Sequence, residues 1–366
     1  MDLIKLSSNS GFLTELTEGE AVNGYESLLW VERYQKPGEF KIKAKLSSGL
    51  RDLLPIGTFL THVKTREVMW VENHFVREMK DKDPTVEITG RSFVSYLEQR
   101  IIGQDWSEGN NDFPPYVVAA APTWDQIVTV IFDQFILTGP FDDDNAIPGF
   151  VATESCSGTG TVEDRQFKYG TVWDKIEEVL HVDDVGIRVL RSVTSDPDFQ
   201  FNVYQGTDRT STARFSSATG DMDNIEYLFS RKKEKTKARV MGRWVQVNVS
   251  PGSEVNLDRR YMLVDASDID QQFSAMPTGG DLTNVIAAMT IRGQEALTKF
   301  KNITISRADI SPNSNLRYRI DYELGDLVVV DANFNESQVM RVVEFAEVED
   351  ENGTSGHPTL AIPGEI

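Results

Sequence analysis

The chain has 366 residues, 57 acidic and 37 basic, and a formal charge of -20. That balance weighs against a protein that grips nucleic-acid phosphates, which needs a basic footprint. A single cysteine, Cys156, excludes an intrachain disulfide and a cysteine-rich zinc site; nor does any apolar run approach the ~20 residues of a membrane-spanning helix.

The opening MDLIKLSSNS lacks the apolar core of a secretion signal, so synthesis in the cytoplasm is expected. Residues 1–102 read mainly as strands. Phe40, Ile42, Ala44 and Leu46 alternate with Lys41, Lys43 and Lys45, the period of a half-buried strand, after the strand 27–34 and the turn Lys36-Pro37-Gly38. A short helix carrying Phe93, Tyr96 and Leu97 closes this block.

Residues 103–220 read as a separate α+β domain behind a Gly/Pro-rich boundary loop. Thr123 offers an N-cap for a helix with the stripe Ile127, Ile131, Phe132 and Phe135, and Thr171 for a second with Val172, Trp173, Ile176, Val179 and Leu180. Strands 187–190 and 199–204 complete it. In the third block, 221–366, residues 224–230 and 240–249 suggest a hairpin whose tip holds Arg231, Lys232, Lys233, Lys235, Lys237 and Arg239, the single basic run of the chain. That tip reads either as a solvated hairpin end or as an electrostatic dock for an acidic neighbour, such as another copy. A helix over 281–301 keeps strict 3-4 apolar spacing, and Gly293 on its seam points to close approach of a neighbouring element.

Residues 316–363 read as a four-stranded meander, starting with the alternation of Tyr318, Ile320, Tyr322 and Leu324. Its pattern echoes residues 56–91. Gly57 matches Gly325, Val68-Met69 matches Val339-Met340, Pro84-Thr85 matches Pro358-Thr359, and the later copy has three extra residues in each of two connections. If the echo is a structural duplication, the glycines occupy the same turn, the Val-Met pairs sit at matching ladder positions, and the extra residues fall in loops. Strands from 224–264 are expected to join the second copy.

Candidates for chemistry are sparse. His62, His74, His181 and His357 are scattered singly, and Asp142-Asp143-Asp144-Asn145 lacks the glycine and distal glutamate of a calcium loop. A carboxylate pair such as Glu177 and Asp183 carries little meaning among so many acids, and Cys156 has no histidine nearby in sequence. No catalytic, cofactor or metal residues are nominated, and an enzyme is not expected.

Five segments, 24–44, 86–102, 259–269, 290–300 and 318–330, together resemble the hub, or minor tail, proteins at the tail tip of long-tailed bacteriophages, particularly those of actinobacteria. Residues 103–220 lie outside the resemblance. It implies a mainly β fold: two tail-tube-like antiparallel β-barrel domains with accessory α+β domains. It also implies a structural virion protein similar to the hubs of contractile-tail baseplates. As implied, the hub is a homotrimer at the tail tip, without a cofactor or membrane contact. It joins the hexameric tail tube and distal tail ring to the threefold central fibre or other tail-tip proteins, with the tape-measure protein as a further neighbour. DNA would pass through its channel without specific binding, past an acidic wall. Two other readings stay open: a receptor- or carbohydrate-binding module using Trp106, Phe113 and Tyr116, and a wall hydrolase within 103–220.

Overall fold

A computed structural model describes residues 3–8, 16–103, 116–136, 150–155, 163–167, 169–180, 184–191, 199–216, 218–250, 252, 256–270, 273–298, 300, 303–310, 315–332, 336–361 and 363. The first block contains β1 (Leu3–Ser8), β2 (Leu16–Ala21), β3 (Ser27–Arg33), β4 (Glu39–Lys45), the single turn α1 (Leu50–Leu53), β5 (Phe59–His62), β6 (Val68–Arg77) and β7 (Thr85–Ser92). Its strands pair antiparallel in the order β3-β4-β7-β6-β5-β1-β2. On β4 the three apolar residues are buried and the lysines are exposed, as the alternation requires. Phe40 and Ile42 join Trp30, Leu60, Met69, Val71 and Ile88 in one apolar cluster. The helix expected after Ser92 is a 3₁₀ helix, Phe93–Gln99.

Next come β8 (Ile101–Ile102), β9 (Tyr116–Ala121), α2 (Thr123–Ile131), β10 (Phe150–Ser155), β11 (Glu163–Phe167), β12 (Gly170–Thr171), α3 (Val172–Leu180), β13 (Gly186–Arg191) and β14 (Phe199–Tyr204). Ile127, Val130 and Ile131 of α2 and the stripe of α3 share one core with Phe199, Phe201 and Val203 of β14, and with Phe93 and Leu97 of the first block. Phe132, expected in the α2 stripe, is 41% exposed, because α2 ends at Ile131 and a π-helical turn, Phe132–Ile136, rotates the face. Thr171 caps α3 as expected, its Oγ1 accepting from the Asp174 N–H at 3.0 Å. Thr123 is instead the first residue of α2. Pro122 holds the cap position, and its carbonyl accepts from the Gln126 N–H at 3.0 Å.

β15 (Arg214–Ser216) falls within the second block but pairs with β21, and the third block contains β16 (Met222–Ser230), β17 (Lys237–Met241), β18 (Gln246–Val249), β19 (Tyr261–Asp265), α4 (Gly279–Thr298), β20 (Ile303–Ile310), β21 (Leu327–Ala332), β22 (Glu336–Asp350) and β23 (Gly353–Ala361). The expected hairpin between 224–230 and 240–249 does not form. β16 pairs with β20, Ser230 opposite Ile303, while β17 lies between β18 and β19 in a small sheet of its own. The physical reason is cover. Ala238, Val240 and Val249 need an apolar lid, and α4 supplies it where Gly293 lets the backbones close. A Cβ on Gly293 would lie 2.6 Å from Val249 Cγ2 and 2.7 Å from Val240 Cγ2.

The Tyr318–Leu324 alternation is also not a strand. Asp321 turns the chain back by accepting from the Arg317 N–H through its side chain (2.8 Å), and Arg319 adopts φ 67°. Local Asx-type bonding here outcompetes the ladder. Tyr322 is buried and Tyr318 half-buried against the same core, while Ile320 is 60% exposed.

The echo is structural in its first two strands. β16-β20-β23-β22-β21 repeats the order and antiparallel directions of β3-β4-β7-β6-β5. Gly57 and Gly325 share φ 87°, a left-handed conformation that costs an L-residue about 1 kcal/mol or more. Each donates at 2.8 Å to its counterpart carbonyl, Val71 or Val342. Met69 faces Leu60, Met340 faces Val328, and both long strands bulge just after the second residue beyond, between Val71 and Asn73 and between Val342 and Glu344. The row Trp30, Phe40, Gly90, Val71 thus matches Tyr227, Ser306, Leu360, Val342.

The third strand differs from expectation. Thr89, opposite Asn73, corresponds to Thr359, opposite Glu344, so the Pro-Thr match is displaced by four residues. A slip of four keeps every side chain on its face, so alternation could not reveal it. Nor do the extra residues all fall in loops. Between β21 and β22 they prolong the ladder to Ala332 opposite Glu336, and the second connection is not lengthened.

Among the described residues no pairing closes either unit into a barrel, and the strands of the two units run in one continuous sheet. It is continuous because β22 is shared: Leu327–Ala332 covers the first part of one edge, and β3 covers the rest, Glu344 opposite Arg33 through Glu349 opposite Leu28.

Candidate assembly interface

The junction between β22 and β3 is built by side chains as well as backbone. Arg33 Nε bonds Glu344 Oε2 at 2.6 Å, and the Tyr25 hydroxyl donates to Glu349 at 3.2 Å. Beneath them Glu32, 4% exposed, accepts from Trp30 Nε1 (3.1 Å), the Tyr318 hydroxyl (3.0 Å) and Arg319 (2.8 Å). The strained turn at Arg319 therefore places its guanidinium on a buried carboxylate. Burial alone would lower the guanidinium pKa, but the charge of Glu32 outweighs it and the value is raised. Burial and the nearby Glu32 push Glu67 well up, while burial and Arg319 bring His62 down to about 4.

In the first unit, β6 stands where β22 stands in the second, with one difference. β5 covers Val68 to Trp70, but no described strand covers the same edge of Asn73 to Arg77. Phe75 and Val76 are 55% and 41% exposed there. At the far end of the sheet, β16 pairs among the described residues only with β20, and no described strand covers its other edge. β16 is the counterpart of β3. An open strand edge is a template for another chain unless it is blunted. Sequence reading missed both edges. The one available signal was the run His74-Phe75-Val76, whose apolar residues break alternation.

The basic residues nominated from sequence are not at a hairpin tip. Arg231, Lys232, Lys233 and Lys235 lie on the connection from β16 to β17, while Lys237 and Arg239 stand on β17 itself. Arg231 is engaged by Glu234 (2.6 Å) and Asp258 (3.5 Å), which raises its pKa. Arg260 joins Glu234 at 3.6 Å.

The remaining candidates are dispersed. His62 is buried, His74 bonds the Leu54 carbonyl at 2.7 Å, and His357 lies 3.0 Å from Ser355 Oγ. Among the described residues no His, Cys, Asp and Glu group could hold a metal ion. Tyr116, nominated as an exposed sugar platform, is 9% exposed with its hydroxyl on Asp133 at 2.6 Å, because the core under α2 takes its ring. His181, Asp183, Cys156, the run 142–145, Trp106 and Phe113 lie outside the described residues.

Comparison with known proteins agrees with the resemblance read from the sequence. The structure is similar over its whole length to the tail protein from Neisseria meningitidis MC58, with TM-score 0.58 and 10% identity over 98% of that chain. The prophage MuSo2 43 kDa tail protein from Shewanella oneidensis gives TM-score 0.56 and 10% identity, covering all of both chains. Prophage tail protein gp18 from Listeria monocytogenes gives 0.53 and 10%, over 99% of this chain and 94% of that one. No curated protein sequence matches the chain. The family model for Siphovirus ReqiPepy6 Gp37-like protein matches residues 15–360, and with a phage tail-protein fold over nearly all its length the chain belongs to that family.

Proposed function

We propose that this chain is a structural subunit of the siphovirus tail tip that assembles as a three-copy hub. In this reading residues 1–102 and 221–366 are two ring units, and 103–220 is an accessory domain outside them. Three copies present six similar units, which suits a part joining a hexameric tube and distal ring to a threefold central fibre. DNA passes through the ring without specific contacts.

One observation carries the reading. The β22–β3 junction inside the chain is a pattern for a second junction between chains, because its two counterparts, β6 and β16, both have open edges. Transferring the register sets Asn73 opposite Ser230, Phe75 opposite Leu228 and Arg77 opposite Glu226 of the next copy. Closed symmetry follows when each copy uses both edges once. The register also says which backbone groups do the pairing. Tyr34 N–H donates to the Val343 carbonyl at 2.9 Å, so every second residue from 343 faces β3. The corresponding residues of β6 include His74 and Val76.

The test is assembly. By mass photometry the purified chain is expected to populate three copies, and Val76→Pro, which removes a donor from the open edge and leaves the β7 ladder intact, to give single chains with unchanged circular dichroism. In a Cys156→Ser background, Phe75→Cys with Leu228→Cys should crosslink chain to chain on oxidation. A stable single chain, or trimers indifferent to Val76→Pro without crosslinks, would overturn the reading.

A further inference from the structure

The small β18-β17-β19 sheet is covered by α4 on one face only. Ala238, Val240, Val249, Met262 and Val264 turn toward the helix. The other face is open and carries an alternation of opposite kind: Lys237 is paired with Tyr261, and Arg239 with Leu263 and Asn248. Leu263 is 71% exposed and Tyr261 59%, while Met241 extends the row at 37%. A shallow groove of about 530 Å³ runs between Lys237, Arg239, Asn248, Tyr261 and Leu263. No described strand lies beyond β19, so its outer edge is uncovered among the described residues as well.

The charge of this region runs against that of the chain. Residues 231–260 hold nine of the 37 basic residues but only three of the 57 acidic ones. Two of the nine, Arg231 and Arg260, are occupied by Glu234. Lys237 and Arg239, on the open face, have no carboxylate partner among the described residues. Two cations flanking exposed leucine and tyrosine match a ligand with carboxylates beside apolar side chains. They match a nucleic acid less well, since phosphate binding grows with the number of cations engaged and offers nothing to Leu263 and Met241. No element among the described residues covers this face, which leaves both features in water.

We propose that the open face of β18-β17-β19 docks an amphipathic acidic segment of a neighbouring protein. Its apolar side chains cover Tyr261, Leu263 and Met241, and its carboxylates pair with Lys237 and Arg239. This surface is independent of the β6 and β16 edges, so its failure would leave the ring reading untouched.

Fluorescence anisotropy on the full chain tests it, with a labelled synthetic peptide alternating Glu and Leu and its Lys-Leu counterpart as probes. The Glu-Leu peptide is expected to bind and the Lys-Leu peptide not, with affinity falling as salt rises. Lys237→Glu with Arg239→Glu, and separately Leu263→Ser, should each weaken binding at least tenfold, while Lys41→Glu with Lys43→Glu on β4 leaves it unchanged. None of the five positions is buried, and circular dichroism confirms that the variants are folded. Equal binding of the two peptides, indifference to the double variant, or preferential binding of a single-stranded oligonucleotide or anionic vesicles would overturn the proposal.

Discussion

The two sheet units of this protein place a glycine at the same turn, a valine at the same bulge and a methionine at the same ladder position, yet among the described residues one has its long strand covered and the other does not. In the second unit, β22 receives β3, and the strand behind the bulge is held by Arg33, Tyr25 and a buried Glu32 cluster. In the first, β6 reaches the same place and meets solvent with Phe75 and Val76 exposed. Shared strand order, turn and bulge with different cover show that the edge is what most distinguishes them. A free edge in a folded chain is a liability that has to be occupied or blunted.

The comparison can be broken most strongly at the matched methionines. Met69 and Met340 are 0% and 1% exposed at equivalent ladder positions. Replacement of either by Ala should cost about 2–5 kcal/mol through lost transfer energy and the cavity left, and the two costs should agree within about 1 kcal/mol. Denaturant unfolding of the two single variants measures this. A large inequality would show that the duplicated units are packed differently despite their shared ladders.

A second difference is ionic. Where the second unit has Val330, the first has His62, buried beside Trp30 with its pKa lowered to about 4 by burial and by Arg319. The unfolded histidine takes its proton near pH 6.5 and the folded one only near 4. Folding therefore loses stability as pH falls through that window, by up to about 3 kcal/mol. Glu67 acts in the opposite sense. Its raised pKa keeps the proton in the folded state, so stability falls as pH rises above the ordinary carboxylate range. A profile of Tm against pH should show both limbs, and His62→Val, which makes the first unit like the second, should flatten the acid one.

Third, the two glycines at φ 87° differ in surroundings. A Cβ at Gly57 would meet open space, whereas at Gly325 it would lie 2.4 Å from Tyr34 Cε2. Gly57→Ala should then cost about 1–2 kcal/mol, the backbone term alone, and Gly325→Ala more, by about 1–3 kcal/mol of overpacking. Equal losses in thermal unfolding would mean that Tyr34 moves aside freely. The smallest effect is expected on the outer face of the first unit, where Lys41 pairs with Glu87 at 2.8 Å while 47% exposed. Lys41→Ala should change stability by less than about 1 kcal/mol, and less still in high salt.

Local chemistry decided a good deal. The alternation of Phe40, Ile42 and Ala44 against lysines decided which face of β4 is buried, because a strand has only two faces and the lysines cannot be inside. The 3-4 spacing and Gly293 decided that α4 lies close on a neighbour, and Thr171 decided where α3 begins. Gly57 and Gly325, with the Val-Met pairs, decided that one supersecondary unit occurs twice. These are short-range constraints of steric fit and hydrogen bonding, written in residues near one another.

Only the tertiary structure decided the rest, since pairing partners are chosen by burial across long stretches of chain. β16 finds β20 beyond an entire inserted subdomain, the third strand settles four residues from its apparent match, and Tyr318 to Leu324 folds into a turn that aims Arg319 at Glu32. The shared strand β22, and with it the open edges of β6 and β16, arises from contact between segments some 300 residues apart. No local pattern records such contact, because an alternating strand fits any edge whose buried face is on the same side.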